Sequence, residues 1–480
     1  MNAKYSRARS ESPVSDDSLD GAYRLGFKSR RRAYINAAVL LTFLSLMTLV
    51  SFSFWTASPT TSRTTEPSHD PSHDSSNLGT LQPDVLDPSN YVLGAPTEHF
   101  RDNLRPDVQY ITSWISAGWT NDVMTYVNLI YLGMITDRVP VIPMFTPSHI
   151  GGSVPPIAFG DVFDVPRLRK ALNKPIIEWR DVKDPGSNQL DNLGCWNVWE
   201  SSQFYEPHPR GSPVLYHLGL DISYTKTPGW IKLYQDYEHD YATTFWALAR
   251  FAYPETRNAN LVTPLPSPAT NVSLPPDEQM LCYDYLYYVC AQQSNEWELD
   301  FSPAWRFVAQ YMHWVPSLER LASVYINRAL GYEDDESTPP YISIHVRHYD
   351  FDRYCVDMPL TDCFASVPVI ARRVQEVKDE LMATKGLDIK HVVVTSDERN
   401  ASWWQEVAEQ GWFAPDHSRT KELLGDWYPV LIDAAIQSGG VGFVGTDRST
   451  MSLLARRRVE TWQNGVTRTV RWGHPGADDH

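Results

Sequence analysis

Three apolar segments near the end of the chain constrain its fold more than any other feature. Each is rich in β-branched residues and ends in polar ones; they are YISIHVRHYDF at 341–351, HVVVTSDE at 391–398 and VGFVGTDRSTMS at 441–452. This is the pattern of a buried parallel strand, whose carboxyl end delivers side chains to a ligand crevice. Helical patterns separate the segments, so they predict one α/β domain built around a phosphate-bearing ligand.

The alternation of elements predicts two Rossmann-like domains, at 96–335 and 336–480. In the second, the periodicity predicts strands at 341–347, 391–396 and 441–445 and helices at 365–384, 401–410, 427–437 and 449–458. In the first, it predicts a long helix that begins near Asn121, capped by Asn121 or Thr120, strands at 139–145, 175–179 and 214–220, and a long helix at 304–330. Alternating strands and helices imply parallel sheets with right-handed crossovers.

Residues 33–57 predict a membrane anchor. The chain carries no charge between Arg32 and Arg63, and residues 34–55 are almost wholly apolar. At about 1.5 Å per residue, a helix of that length spans roughly the 30 Å of a bilayer core. Basic residues precede it and acidic ones follow, which predicts a single-pass type II protein with residues 1–32 in the cytosol and the rest in the lumen. A cleaved signal peptide is the alternative, although the run is long and lacks a clear cleavage site.

Residues 58–95 predict a disordered stem, because they are rich in Ser, Thr and Pro and poor in large apolar residues. The repeat SHDPSHD within it offers His and Asp side chains to a metal ion, but a solvated, O-glycosylated stalk suits this composition better. Asn271 and Asn400 begin glycosylation sequons, which agrees with a lumenal location.

The five cysteines all follow the predicted anchor, where disulfides can form. Two close pairs, Cys282 with Cys290 and Cys355 with Cys363, suggest two stapled loops. Spacing alone does not fix the pairing, and one cysteine must remain over.

The formal net charge of −16 argues against nucleic acid as a partner. An anionic ligand therefore needs a local basic cluster, and the candidates for it are Arg347, His348, Arg353 and Arg448.

Arg347 ends the first strand segment, two residues after His345, so both side chains are expected on one face. A guanidinium there can grip a pyrophosphate with two hydrogen bonds and stabilise charge on a leaving diphosphate. The structural alternatives are an ion pair of Arg347 with Asp350 or Asp352 and a buried core histidine at 345.

The third segment combines a strand end with a helix start that carries hydroxyls. Ser449, Thr450 and Ser452 and the first backbone N–H groups of that helix can form an anion site, and simple N-capping is the alternative. Asp397 ends the middle strand, where its carboxylate can accept from N1–H and the amino group of guanine; here too a helix cap is the alternative.

Together, HVR–D, TSDE and VGTDRSTMS resemble the three motifs of the GDP-fucose O-fucosyltransferase superfamily, which includes the protein O-fucosyltransferases and the α1,2- and α1,6-fucosyltransferases. The turn at 118–121, with its helix and the VPVIP strand, is similar to the superfamily's opening turn. The resemblance implies a GT-B-like fold with two domains facing a cleft. It also implies inverting, metal-independent transfer of fucose from GDP-fucose to a protein hydroxyl or a glycan, which the predicted type II topology places in the Golgi or ER.

The resemblance also implies roles for individual residues. Arg347 would hold the β-phosphate and help it leave, and Asn121 would face the fucose and the diphosphate from the other domain. The implied donor-binding residues are His345, Asp397, Arg448, Ser449, Thr450 and Ser452.

Two positions depart from the superfamily's pattern. His348 stands where many relatives have a second Arg, and Ala117 stands where some have a Glu that acts as a base. Asp122 is a candidate base, but the sequence favours an exposed first-turn residue that suits the helix dipole. A base elsewhere in the chain or a phosphate oxygen would then take the proton.

Other functions compete with this interpretation. Asp350-Phe351-Asp352 matches the DxD signature of metal-dependent glycosyltransferases, although its place directly after His345 and Arg347 favours fucosyl transfer. The GxGxxG at 440–445 lies before and within a strand, which argues against a dinucleotide site. A catalytically inactive protein that binds glycans or nucleotides remains a third alternative.

Overall fold

The computed structural model describes residues 85–203 and 207–479. The predicted tail at 1–32, the anchor at 33–57 and most of the stem at 58–95 lie outside these residues. Within them, no helix combines the length and the apolar character that crossing a membrane requires. All the described residues belong to one compact unit.

The first part of the described chain is built on a six-stranded parallel sheet. Its strands are β1 (Tyr110–Ser113), β2 (Val139–Ile142), β3 (Ile177–Glu178), β4 (Asp191–Asn197), β5 (Leu220–Lys226) and β7 (Met280–Tyr283), and the short strands β6 (Thr243–Thr244) and β8 (Val289–Cys290) pair separately. The strand order is β3-β2-β1-β7-β4-β5, so the last strand in sequence lies in the middle of the sheet.

Nine helices accompany these strands in the described part. They are α1 (Trp119–Thr136), α2 (Val165–Leu172), α3 (Trp179–Val182), α4 (Trp199–Ser202), α5 (Pro213–Leu218), α6 (Phe245–Ala249), α7 (Pro254–Ala259), α8 (Pro303–Phe307) and α9 (Pro316–Leu330). Most of α1 is buried, because it lies against the sheet with Val123, Val127 and Ile130 shielded from solvent.

The second part has a four-stranded parallel sheet of order β10-β9-β11-β12. Its strands are β9 (Tyr341–Val346), β10 (His391–Ser396), β11 (Gly442–Thr446) and β12 (Val466–Val470). Its helices are α10 (Leu360–Cys363), α11 (Val367–Lys385), α12 (Ala401–Glu409), α13 (Thr420–Leu424), α14 (Tyr428–Gly439) and α15 (Thr450–Trp462). The predicted α/β class with parallel sheets is confirmed, and the three diagnostic segments are strands as predicted.

Three predictions about local structure are wrong. Residues 214–220 are not a strand: Pro213 opens α5, Ser212 caps it, and Gly219 ends it in the left-handed region, so the strand starts at Leu220. The helix predicted at 304–330 is two helices, α8 and α9, because Pro316 begins a new helix rather than continuing the first. The N-cap of α1 is Gly118 rather than Thr120 or Asn121.

Helices of the second part pack against the first part of the chain and so join the two sheets. The indole N–H groups of Trp427 and Trp462 donate to the carbonyls of Pro155 (2.8 Å) and Gln310 (2.7 Å). One hydrophobic core contains residues from both parts, including Trp427 and Leu454. The position of α15 is therefore set by both sheets.

The cysteine pairing differs partly from the suggestion made on spacing. Cys355 and Cys363 are bonded as suggested, but Cys282 pairs with Cys195, and Cys290 is a buried free thiol. The reason is strand order: β4 and β7 are neighbours, which places the two Cα atoms 4.6 Å apart, within the usual range for a disulfide.

Replacing Cys195 by Ser should lower the free energy of unfolding by about 2–5 kcal/mol, because the lost bond closes a long loop between two core strands. Cys290→Ser is the matched control and should cost less, since the hydroxyl can still donate to the Thr243 carbonyl that the thiol contacts. Urea unfolding measures both. A peptide linking Cys282 to Cys290 in a non-reducing digest would contradict the pairing.

Candidate functional site

The predicted site residues of the second part gather at the carboxyl edge of its sheet. Strands β9, β10 and β11 are neighbours and end there with Arg347, Asp397 and the start of α15. Parallel strands bring their carboxyl ends to one edge, which is where open α/β sheets bind ligands.

Arg347 is held by two carboxylates. Its guanidinium lies 2.6 Å from Asp350 and 2.8 Å from Asp397, and its backbone N–H donates to the Thr446 hydroxyl at 3.0 Å. The side chain remains 28% exposed, so a ligand can reach it from solvent. An entering anion would meet a guanidinium already held in place and would compete with the two carboxylates for it.

His345 and Ser452 form a buried pair instead of presenting free groups. The His345 Nδ1 lies 2.7 Å from the Ser452 hydroxyl, which also accepts from the Thr446 N–H at 3.0 Å. Burial lowers the pKa of His345 to about 3, and the nearby Arg347 and His348 act in the same direction. The imidazole is therefore neutral at physiological pH and ties β9 to α15.

Gly445 makes that pair geometrically possible. A Cβ atom at this position would lie 2.8 Å from the Cβ of Ser452, closer than packed carbon atoms approach. Because it has no Cβ atom, Gly445 lets β11 and α15 approach each other closely at Ser452.

The start of α15 meets the start of α1. Ser449 caps α15 by accepting from the N–H of Ser452 at 3.3 Å, which is the N-capping role that the sequence offered as the alternative to anion binding. The hydroxyls of Thr450 and Thr120 lie 2.6 Å apart, and Asn121 is the next residue of α1. Helix N-termini leave backbone N–H groups unsatisfied and carry partial positive charge, so two of them at one place favour an anion.

Arg448 stands beside this junction in the left-handed region, with a φ of 65°. Its guanidinium lies over the ring of Trp472 at 5.2 Å, and its side chain is 54% exposed. It can therefore reach toward a ligand while the indole supports it.

His348 stands where many members of the superfamily have a second arginine, and here it bonds to neighbouring groups of the protein. Its backbone N–H donates to Asp397 at 2.8 Å, and its ring lies 2.6 Å from the Glu398 carboxylate and stacks on Phe364. Burial alone would raise the pKa of Glu398, but the hydrogen bonds from His348 and from the N–H groups of Asn400 and Arg399 lower it. The His348 ring thus orders the strand end rather than replacing the arginine.

Aromatic residues line a pocket at this edge that the sequence did not single out. The pocket is bounded by Arg347, Phe364, Thr446 and Trp472, and the indole of Trp472 stacks on Phe351 at 5.1 Å. Trp472 follows β12, a strand that was not predicted, so no sequence pattern pointed to it. Trp472 is buried and its ring also contacts Phe364, so these aromatic groups support the strand ends and are already covered by protein.

Asp122 is buried, which corrects the expectation of an exposed first-turn residue. Its side chain has no solvent exposure, one oxygen accepts from the N–H of Ala117 at 3.0 Å, and the other has no hydrogen-bond partner among the described residues. Burial raises the pKa of Asp122 well above its usual range, although the N–H groups of Ala117 and Ser116 and the charge of Arg210 act against this. Asp122 therefore holds the turn before α1.

Asp284 plays a similar part after β7. This fully buried carboxylate accepts from the N–H groups of Val198 (2.7 Å), Arg210 (3.2 Å) and Trp199 (3.3 Å). It gathers the loops at the carboxyl edge of the first sheet. Burial raises the pKa of Asp284 to about 7, and the backbone N–H donors only partly offset this.

The DxD residues do not form a metal cluster. Residues 350–352 lie in a 3-10 turn (Tyr349–Tyr354), and Asp350 pairs with Arg347. Among the described residues, no three His, Cys, Asp or Glu side chains are grouped as metal ligands would be.

Comparison with known proteins gives structural neighbours only. No family model and no curated protein matches the chain. The structure of POFUT1 in complex with GDP-fucose has a TM-score of 0.46 and 14% identity, covering 77% of this chain and 99% of that one. NodZ α-1,6-fucosyltransferase soaked with GDP-fucose has a TM-score of 0.38 and 14% identity, covering 73% and 92%. Fucosyltransferase NodZ from Bradyrhizobium has a TM-score of 0.38 and 13% identity, covering 73% and 93%.

Two of these three structures are named as complexes or soaks with GDP-fucose, and two are named as a fucosyltransferase. At such identities and TM-scores below 0.5 the likeness does not assign a function, which has to rest on the motifs and contacts of the chain itself.

Ser452→Ala should lower the free energy of unfolding by about 1–3 kcal/mol, because the His345 nitrogen and the Thr446 N–H would both lose a buried partner. Thr450→Ala removes one half-buried hydroxyl contact and should cost about 1 kcal/mol or less. Urea unfolding without ligand compares the two. Equal stability of Ser452→Ala and wild type would mean that this hydroxyl is free for a ligand.

Asp284 predicts a pH dependence of stability. A carboxyl whose pKa is raised by folding stabilises the fold fully below its unfolded pKa, here 3.8, and loses that contribution as pH rises through about 7. The loss is roughly 4 kcal/mol at about 1.4 kcal/mol per pKa unit. Relative to Asp284→Asn, the wild type should therefore lose stability between pH 4 and pH 8 in chemical unfolding. Parallel curves for the two proteins would refute this.

Proposed function

We propose that the chain is an inverting, GT-B-like glycosyltransferase that moves fucose from GDP-fucose to a protein hydroxyl or a glycan, without a metal ion. The observation that carries the proposal is the meeting of two helix N-termini, one from each sheet, at the Thr120–Thr450 contact of 2.6 Å, on the same sheet edge as Arg347. This arrangement suits a diphosphate, which needs many N–H donors and positive charge.

Guanine selectivity is assigned to Asp397. A carboxylate accepts from N1–H and the amino group of guanine together, a donor pair that adenine and the pyrimidines lack. In the unliganded protein, Asp397 binds the Arg347 guanidinium and the His348 N–H. A donor that binds Asp397 through guanine and Arg347 through its diphosphate must break this ion pair and move the two side chains apart.

The residues of the cleft then act on the bond between fucose and the diphosphate. The acceptor oxygen attacks the anomeric carbon from the opposite face, the bond to the β-phosphate oxygen breaks, and the acceptor proton passes to a base of the chain or to an oxygen of the departing diphosphate. Negative charge grows on the departing diphosphate, where Arg347 and the helix N-termini stabilise it more strongly than in the ground state. Asn121, at the start of α1, contacts the fucose from the first domain.

The cellular setting belongs to the same proposal. The apolar run at 33–57 anchors the chain as a single-pass type II protein in the Golgi or ER membrane, with the catalytic part in the lumen. The disulfides Cys195–Cys282 and Cys355–Cys363 support an oxidising compartment.

The test is donor binding by the full chain in mild detergent with EDTA present. Thermal shifts are compared for GDP-fucose, GDP-mannose, GDP and a UDP-sugar. GDP-fucose at about 100 times its Kd adds roughly 2.7 kcal/mol of stability, enough for a clear shift. Arg347→Ala should lose most of this shift.

Arg419→Ala is the matched control, because Arg419 is exposed and pairs only locally with Glu422. Release of GDP in the presence of candidate acceptors then tests turnover, and binding without turnover would favour an inactive relative. If no GDP compound shifts the wild type until Mn²⁺ is added, the DxD alternative replaces this proposal.

A further inference from the structure

Arg458, in the third turn of α15, is a buried cation without a counter-charge. The residue is 3% exposed, its Nε has no hydrogen-bond partner, and no carboxylate of the described residues forms an ion pair with it. The neighbouring buried arginine, Arg457, instead pairs with Asp300 and Glu460 at 2.8 and 3.2 Å. Burying a charge without a counter-charge raises the free energy of the folded protein, so the presence of Arg458 here needs a physical reason.

Aromatic rings surround the Arg458 guanidinium. They belong to Trp314 at 4.3 Å, Trp462 at 5.5 Å and Phe163 at 5.9 Å. Ring faces attract a cation but do not neutralise it. Burial lowers the pKa of Arg458 to about 9, which leaves it charged at neutral pH.

This cation lies behind both helix N-termini of the proposed diphosphate site. Eight residues separate Arg458 from Thr450, a rise of about 12 Å along α15, and helix side chains lean toward the N-terminus. The same rings reach the first residue of α1, since Trp119 stacks on Trp314 at 6.0 Å. The charge therefore lies near the start of both helices.

We propose that the diphosphate of the bound donor is the missing counter-charge of Arg458, which makes this residue a determinant of selectivity for highly charged nucleotides. The inference rests on the proposed function and extends it to a residue that need not touch the ligand. In this arrangement the protein supplies no counter-charge for Arg458, and the bound diphosphate supplies one.

The size of the effect follows from Coulomb's law. At about 12 Å and an effective dielectric constant of about 20, one pair of unit charges changes affinity by up to about tenfold, and less where water enters the cleft. The effect should therefore grow with the number of charges on the ligand and shrink with added salt.

The experiment measures the Kd of guanosine, GMP and GDP by calorimetry on the full chain, at low and high salt. Arg458→Met keeps the length and removes the charge, Arg458→Lys keeps the charge, and Arg457→Met is the matched control because Arg457 is already neutralised. Arg458→Met should weaken GDP by about tenfold, GMP less, and guanosine less than twofold. Arg458→Lys should restore most of the affinity, and Arg457→Met should show no such gradation.

Thermal unfolding without ligand provides the second readout. Removing an uncompensated charge should leave the Tm of Arg458→Met unchanged or higher, while the gain on adding GDP falls. Equal weakening of all three ligands, or unchanged GDP binding, would overturn the inference and leave the proposed function intact. Loss of folding in both Arg458→Met and Arg458→Gln would also overturn it, because the fold itself would then require the charge. Absence of GDP binding to the wild type would overturn the proposed function and this inference together.

Discussion

The packing of α15 against α1 and the rings around Trp314 is the contact on which the rest of the site depends. This helix belongs to the second sheet by sequence, yet its start touches Thr120 and its third turn enters a ring cluster around Trp314. The proposed anion site at the two helix N-termini requires this contact. Ligand binding and the association of the two sheets are therefore expected to stabilise each other.

All the motif groups at this edge of the sheet have partners within the protein, but the partners are of two kinds. His345, Ser449 and Ser452 bond to one another and to the backbone, so they fix the shape of the strand ends. Arg347 is paired, but with carboxylates that a ligand can replace on both sides. The motif residues thus divide into a rigid frame and an exchangeable ion pair.

The sequence predicted best those elements whose residue pattern is typical of only one kind of secondary structure. Apolar runs rich in β-branched residues and bounded by polar turns identified β9, β10 and β11, since both faces of those strands are covered. β12, with the sequence VTRTV, was missed because it is a half-exposed edge strand with polar residues inside it. The Cys195–Cys282 bond and the burial of Asp122 depend on which strands and loops are neighbours, which no local pattern encodes.

For the site, the motif residues were located correctly at one edge, but the aromatic wall around Trp472 and the lone charge of Arg458 emerged only from packing.

The strand order of the first sheet has a consequence for how the protein is made. β7 lies between β1 and β4, although it is synthesised last of the six. Until residue 283 has left the ribosome, the chain can form only two half-sheets, each with an open edge. Such edges pair readily with other chains, so a nascent protein of this design should depend on chaperones until the central strand inserts. Cys195 meets Cys282 at the same moment, so the oxidation of this pair would report that the sheet has closed.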